Sequence, residues 1–179
     1  MEEKAGEVFS IAKDNMPVPG CTISKEVHGG ENGIIYFSLA KNTDISAEIF
    51  PYHKLLIVAE GSLEVYGTNG YRKVLHAGDS VLTSTDIPIG MKTDTGAVYT
   101  EIEIRRSDIM NEAIKAGEVF RLAEIVPYQH GKIVNMDVVH NDKMKFVIMA
   151  FDAGTELSEH AAPGDCLLYT SDAADDRIS

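Results

Sequence analysis

Cysteine and histidine side chains can bind a metal ion or attack a substrate, and in this chain they are few and far apart. The two cysteines, Cys21 and Cys166, lie far apart and form no Cys-x-x-Cys pair. The sequence therefore predicts neither a disulfide framework nor a thiolate zinc site. Cys21 follows Pro17-Val-Pro-Gly20 with no histidine nearby, which favours a buried inert thiol or an ordinary loop residue.

Two histidines in the first half of the chain have no partner at the spacing of metal ligands. His53 follows Tyr52, and His76 directly precedes the turn residues Ala77-Gly78. We expect a surface or turn role for both side chains rather than catalysis. Glu101 and Glu103 alternate along one face of a predicted strand, and we expect both carboxylates to be solvated.

The composition is typical of a globular protein with one domain or two small ones. The chain has 179 residues, of which 44% are hydrophobic and 25% charged. A formal net charge of −12 without a Lys/Arg run argues against nucleic acid or an anionic membrane as partner, and favours a small molecule or another protein. The acidic segment Met1–Glu7 does not resemble a signal peptide, and no apolar run has spanning length, so we predict a cytoplasmic protein.

The chain also repeats itself. Two pairs of segments match: Gly6–Ala12 with Gly117–Ala123 and, with an offset one residue longer, Val27–Pro51 with Val139–Pro163. His28 and His140 take matching positions, which indicates a shared structural role rather than two active sites. A duplication explains the pattern, although unrelated strands that share alternation and turn residues would give a weaker version of it.

The first copy is predicted to be all-β. An Asn69-Gly70 turn predicts a hairpin, and further turn residues separate the other apolar runs. The predicted strands are Ile34–Leu39, Leu55–Ala59, Ser62–Tyr66, Tyr71–Leu75, Ser80–Thr83 and Val98–Ile104. Many short strands with regular turn signals are typical of a sandwich or barrel.

A short helix is predicted to join the copies. Ser107 is a suitable N-cap, Asp108–Ala116 would form the helix, and Gly117 would end it. The second copy then shows a strand at Lys145–Phe151 and a turn at Asp152–Gly154. The predicted domains are a first barrel over 1–106, a linker helix over 107–117, part of a second barrel over 118–165, and a tail over 166–179.

Several motifs resemble those of the cupin superfamily over residues 6–165. They are the hairpin Glu60-Gly-Ser-Leu-Glu-Val65, the turn Ala77-Gly-Asp-Ser-Val81, and the segment Gly154-Thr-Glu-Leu-Ser-Glu-His-Ala-Ala-Pro-Gly-Asp165. The resemblance implies a cupin-type β-barrel, a double-stranded β-helix or jelly roll, with one complete and one partial copy. It also implies a homodimer as one assembly, because such barrels often pair through edge strands.

The resemblance implies a metal-free first barrel. The family's four ligand places fall on Glu48, Phe50, Lys54 and Ile89, and of these side chains only the Glu48 carboxylate could bind a metal ion. In the second copy His160 takes the first histidine place, whereas the next ligand place holds an alanine. We therefore expect no cofactor and no complete active site in this chain, with a divalent metal at His160 in an intact parent as the alternative.

The segment Cys166–Asp176 resembles the in-frame translation of a transposase adapter used to prepare DNA sequencing libraries. We therefore expect residues 166–179 to be non-native and the second barrel to be truncated.

Three functions follow as hypotheses. The first is a non-catalytic two-barrel cupin with a structural role or a small-molecule ligand. The second is a metal-dependent dioxygenase, isomerase or decarboxylase with its site around His160. The third is the sensor half of a transcription regulator, although the sequence has no visible basic helix-turn-helix. Barrels of this type host many functions, so fold alone does not choose among them.

Overall fold

The computed structural model describes residues 4–159, 161 and 164–170, and it confirms the predicted all-β class. Two single-turn helices lie among the strands, α1 at Ile11–Asp14 and α2 at Leu122–Ile125. The strands are β1 Thr22–His28, β2 Ile34–Leu39, β3 Thr43–Glu48, β4 Tyr52–Gly67, β5 Arg72–His76, β6 Asp79–Leu82, β7 Ile89–Thr93, β8 Ala97–Arg105, β9 Ile109–Met110, β10 Val119–Arg121, β11 Ile133–His140 and β12 Lys145–Phe151. None of the described helices has the length or apolar character that a membrane span requires.

The long strand β4 joins the two sheets of the barrel. Its first half pairs with β8 and β6, and its second half pairs with β5 and β7. The change of sheet coincides with a bulge between Val58 and Glu60 and with a positive φ of 80° at Gly61. A Cβ at Gly61 would also collide with the backbone carbonyl of Gly96, so this crossing requires glycine.

Apolar side chains fill the interior of this barrel. Alternate residues of β2, β4 and β8 point inward, and the rings of Phe37 and Tyr99 stack with centroids 5.1 Å apart. The buried interior residues are Leu39, Leu56, Val58, Leu63, Val65, Leu75, Val81, Ile89, Met91, Ala97 and Tyr99. The interior is therefore a packed core.

The outer face of the barrel is covered by a smaller sheet. Strands β12, β11 and β9 form this sheet in that order. A second apolar cluster lies between the two layers, with Leu55, Ile102 and Ile104 on the barrel side and Val138 and Val139 on the small sheet. The short strand β10 extends the barrel by pairing with β6, where Arg121 forms a 3.0 Å ion pair with Asp79.

The hairpins β1–β2 and β11–β12 match in detail. Each has a bulge near the end of its first strand. Each is followed by the same turn, in which the hydroxyl of Thr43 or Thr155 donates a 2.7 Å hydrogen bond to the carbonyl of Ala40 or Asp152. The residue before each threonine has a positive φ, 59° at Asn42 and 78° at Gly154.

The strand register shows that His28 and His140 are not at equivalent positions in the two hairpins, but one position apart. His28 lies opposite Ile34, and the equivalent residue opposite Phe146 is Val139. His140 lies opposite Lys145, one pair further along the second hairpin. The loop of the second hairpin is therefore longer by one residue, which moves His140 away from the position that corresponds to His28.

The helix predicted over Asp108–Ala116 does not form. Instead, Ile109 and Met110 pair with β11, so their backbone groups bond to another strand. The Asp108 carboxylate accepts hydrogen bonds from the Arg105 backbone N–H at 2.8 Å and from Asn32, rather than from amides of a first helical turn. Strand pairing and the Asp108 contacts outweigh local helix propensity here.

Candidate functional site

The four predicted ligand places are divided between two locations in the first barrel. Glu48 is exposed at the end of β3, opposite Ile89 in the β3–β7 ladder, and Ile89 belongs to the apolar core. Phe50 lies between β3 and β4, and its ring centroid is 3.9 Å from Nζ of Lys54. The structure thus joins Phe50 to Lys54 and places an aliphatic side chain beside Glu48.

Lys54 makes an ion pair that the sequence did not predict. Its Nζ lies 3.0 Å from Oε1 of Glu101, and the two side chains are only 11% and 8% exposed. Lys54 is on the same face of β4 as Leu56 and Val58, which belong to the barrel core. The attraction within such a pair offsets the desolvation free energy of several kcal/mol that burial of each isolated charge would cost.

The expectation that Glu101 is solvated is wrong. Its alternation with Glu103 was correctly predicted, but the face that they share with Tyr99 is the barrel interior. Glu101 is therefore buried, whereas Glu103 is half-buried. Alternation shows which residues share a face, and the closure of the barrel decides which face water reaches.

Burial controls the protonation of this cluster. It raises the pKa of Glu101, while the charge and hydrogen bond of Lys54 oppose that rise. Burial also raises the pKa of Glu103, and the positive charge of Lys54 opposes this rise. Burial and the charges of both glutamates raise the pKa of Tyr52 as well. Two carboxylates around one ammonium group make this end of the barrel unfavourable for an anion.

His53 ties the start of β4 to the end of β6. Its Nδ1 lies 2.6 Å from the carbonyl oxygen of Thr83, so this nitrogen carries the proton. The Thr83 hydroxyl in turn accepts a 2.8 Å hydrogen bond from the Lys54 backbone N–H. His53 therefore holds together the strands beneath the ion pair.

The other predicted residues that the structure describes lie away from the Lys54–Glu101 pair. His76 is exposed, and its backbone N–H donates a 2.9 Å hydrogen bond to the Asp79 carboxylate. Cys21 is an exposed loop residue rather than a buried thiol. His160 lies outside the described residues. Within the part of the chain that the structure describes, no three His, Cys, Asp or Glu side chains converge as a metal site would require.

A second polar cluster, centred on Arg105, was missed from the sequence. The Arg105 guanidinium contacts Asp108 at 3.0 Å, Glu31 at 3.1 Å and Asp142 at 3.0 Å. It borders a surface cleft of about 510 Å³. One guanidinium thus faces three carboxylates, two of which are largely exposed and come from the loops of the two hairpins.

Comparison with known proteins supports the fold. No protein-family model and no curated protein matches the chain. Among solved structures, a Cupin 2 conserved barrel domain protein from Leptotrichia buccalis is similar, with 24% identity and a TM-score of 0.76 over 91% of this chain and 73% of that chain.

Two shorter structures resemble a smaller part of the chain. A conserved protein of unknown function from Streptococcus pyogenes has 16% identity and a TM-score of 0.55, over 60% of this chain and 94% of that chain. A cupin superfamily protein from Desulfitobacterium hafniense has 12% identity and a TM-score of 0.54, over 59% of this chain and 96% of that chain. These likenesses establish a cupin-type fold.

Proposed function

We propose that this chain comprises the metal-free first barrel and the opening hairpin of the second barrel of a two-barrel cupin protein. In this proposal the first barrel has a structural role, which is to support and orient the second barrel. The observation that carries the proposal is the buried Lys54–Glu101 ion pair, because an ammonium group occupies one of the places from which metal-binding relatives contribute a ligand.

The chemistry of the four places argues against a metal ion in the first barrel. A divalent ion needs three or four nitrogen, oxygen or sulfur ligands that converge on it. Here Phe50 and Ile89 have no donor atoms, and the ammonium of Lys54 would repel the ion. The buried carboxylate of Glu101 already has a positive partner. A metal ion would have to displace this lysine from a site where it also contacts the Phe50 ring.

The packed interior favours a structural role over a ligand inside the barrel. The core residues pack against one another as one cluster, and the stacked rings of Phe37 and Tyr99 are part of that packing. The outer face, by contrast, buries apolar residues against the β11–β12 hairpin. The barrel thus makes an apolar outer contact with the hairpin that opens the second copy.

The segments with which the two copies begin support a two-barrel arrangement. The segment that opens the second copy, β10, pairs with β6 of the first barrel. The corresponding segment of the first copy contains Val8, whose side chain is fully exposed at 102%. Val119, its equivalent in β10, is 38% exposed, so the same pairing with a second barrel would cover much of the Val8 side chain. The Leptotrichia buccalis structure aligns over most of both copies, whereas the two shorter chains align over about one barrel.

A metal-dependent enzyme with its site in the second barrel is the second candidate. The equivalent turns at Thr43 and Thr155 support an alignment in which His160 corresponds to Glu48. Imidazole is a common ligand for the metals that such enzymes use. The sensor of a transcription regulator remains a hypothesis without a structural observation in its favour.

Metal analysis of the purified chain tests the proposal. After incubation with Mn²⁺, Fe²⁺, Ni²⁺ or Zn²⁺ and dialysis, we expect metal far below one ion per chain, both in the parent and in Glu101→Gln. A stoichiometric ion that is lost in Glu101→Gln or Glu48→Ala but kept in His160→Ala would refute a metal-free first barrel. An ion that is lost only in His160→Ala would favour the second candidate.

A further inference from the structure

In the part of the chain that the structure describes, strand β12 has a free edge where its counterpart in the first barrel has a neighbour. Within the described residues β12 pairs with β11 alone. Its counterpart β2 pairs with β1 on one side and with β8 on the other. The backbone N–H and C=O groups along the outer edge of β12 are therefore available to an added strand.

An apolar face accompanies this free edge. Val147, Met149 and Phe151 point away from the first barrel, and the last two are 36% and 42% exposed. Their equivalents in β2 are Ile35, Phe37 and Leu39, which face the packed interior. An exposed row of apolar side chains beside unpaired backbone groups is the combination to which β-strands add.

We propose that β12 is a docking edge for an antiparallel β-strand of the same type as β8. In the equivalent register, Phe151 pairs with the position of Ala97, Met149 with that of Tyr99, and Val147 with that of Glu101. This inference rests on the proposed two-barrel function, in which the natural occupant is the strand that completes the second barrel.

The first barrel indicates the side-chain chemistry of the occupant. Tyr99 stacks on Phe37 across the β2–β8 ladder, with centroids 5.1 Å apart. Because Met149 takes the place of Phe37, an aromatic ring opposite it would make a favourable sulfur–aromatic contact. The occupant is thus an extended segment of alternating residues with an aromatic side chain opposite Met149, and main-chain hydrogen bonds supply the rest of the affinity.

A peptide with the sequence of residues 96–105 is the probe. We expect saturable binding of the fluorescently labelled peptide to the full chain, with slower hydrogen exchange at Lys145–Phe151. A peptide with Thr100→Pro has one N–H fewer and should not bind. In the chain, Met149→Asp should weaken binding by about tenfold or more, because it removes the sulfur–aromatic contact and places a carboxylate against the negative face of the aromatic ring. Met16→Asp, at an exposed methionine elsewhere, should leave binding unchanged.

Three outcomes would overturn the inference. They are the absence of peptide binding, protection confined to strands other than β12, and β12 already protected in a concentration-dependent dimer without peptide. The last outcome would identify a second copy of the chain as the occupant. None of them bears on the metal content of the first barrel, so failure of this inference and failure of the proposed function are distinguishable.

Discussion

The side-chain amide of Asn141 donates a 2.9 Å hydrogen bond to Oδ1 of Asn32, which joins the loops of the two equivalent hairpins. Asn32 is buried, and its own amide donates to the Glu103 carbonyl at 2.9 Å and to the Asp108 carboxylate at 3.0 Å. Asn32 also has a φ of 62°, a conformation that asparagine tolerates better than most residues. One side chain therefore links both hairpins to the connection between them.

We expect Asn32→Ala to lower the free energy of unfolding by about 3 kcal/mol, because it removes three hydrogen bonds and leaves buried partners unsatisfied. Asn141→Ala leaves the other contacts of Asn32 in place but also removes the acceptor of the Lys143 and Met144 backbone N–H groups. Because these groups are less buried than Asn32, it should cost less, about 1–2 kcal/mol. Urea denaturation followed by circular dichroism measures both values. Equal losses in the two variants would contradict the central position of Asn32.

The contributions of Lys54 and Glu101 to the free energy of unfolding should be strongly coupled. Lys54→Met leaves a buried carboxylate without its counter-charge and should cost about 3 kcal/mol, whereas the double variant with Glu101→Gln should recover part of this loss. A double-mutant cycle by urea denaturation gives the coupling energy. Additive losses would mean that the two side chains do not interact in solution. The exposed pair of Arg106 and Asp86 is a suitable control, with a coupling below about 1 kcal/mol.

Asp108 should stabilise the fold in a pH-dependent manner. Burial alone would raise the pKa of this carboxyl, but hydrogen bonds from Asn32, the Arg105 backbone, Asn141 and the Arg105 side chain outweigh burial and lower it. A lowered pKa in the folded state stabilises the protein above the ordinary aspartate pKa, and this contribution is lost as the pH falls through the folded value.

Thermal unfolding of the parent and of Asp108→Asn across this range tests that expectation. The variant should melt at a lower temperature at neutral pH, and the two curves should converge in acid. A difference in melting temperature that stays constant with pH would show that Asp108 acts through packing or geometry instead of charge.

Substitution of two glycines with similar φ values distinguishes the cost of backbone strain from that of a steric collision. Gly61→Ala should prevent folding or cost more than about 3 kcal/mol, since the added methyl group meets the backbone of Gly96. A Cβ added at Gly70, which has a φ of 89°, would meet no heavy atom within 4 Å. Gly70→Ala should therefore cost only about 1 kcal/mol through strain. Comparable losses would exclude the collision as the cause.

The origin of the tail is open to direct measurement. The described part of it, Cys166–Thr170, is exposed and forms no strand. We expect resequencing of the source DNA across the codon of Asp165 to reveal a different continuation, with a buried strand ending in a Glu-Gly hairpin like Leu55–Gly61. Finding the codons of Cys166–Ser179 in the same genomic reading frame would refute a non-native tail.

Local patterns in the sequence were sufficient to predict six of the twelve strands, namely β2, β4, β5, β6, β8 and β12, although β4 was predicted as two separate strands. The Asn69-Gly70 turn predicted the hairpin that the ladder from Ser62 to His76 confirms. The run Lys145–Phe151 was predicted as a strand and forms β12 with the same bounds. Strands β1, β3, β7, β9, β10 and β11 were not predicted. For β3 and β7 the reason is that they pair with each other, and each partner is distant in sequence.

The candidate site was only partly predictable. Lys54 and Phe50 were identified as places where metal ligands would be expected, but the carboxylate that pairs with Lys54 comes from β8, almost fifty residues later. The Arg105 cluster was missed for the same reason, since its partners Glu31 and Asp142 belong to the loops of two different hairpins. Helix propensity at Asp108–Ala116 was misleading because strand β11 offered Ile109 and Met110 better backbone partners.

The sequence by itself determined the all-β class and the alternation that sets Tyr99, Glu101 and Glu103 apart from their neighbours. Tertiary structure alone decided that this alternating face is the interior, and that Glu101 is buried against Lys54. The physical reason is that alternation is a property of one strand's backbone, whereas burial and ion pairing depend on which distant strands close around it.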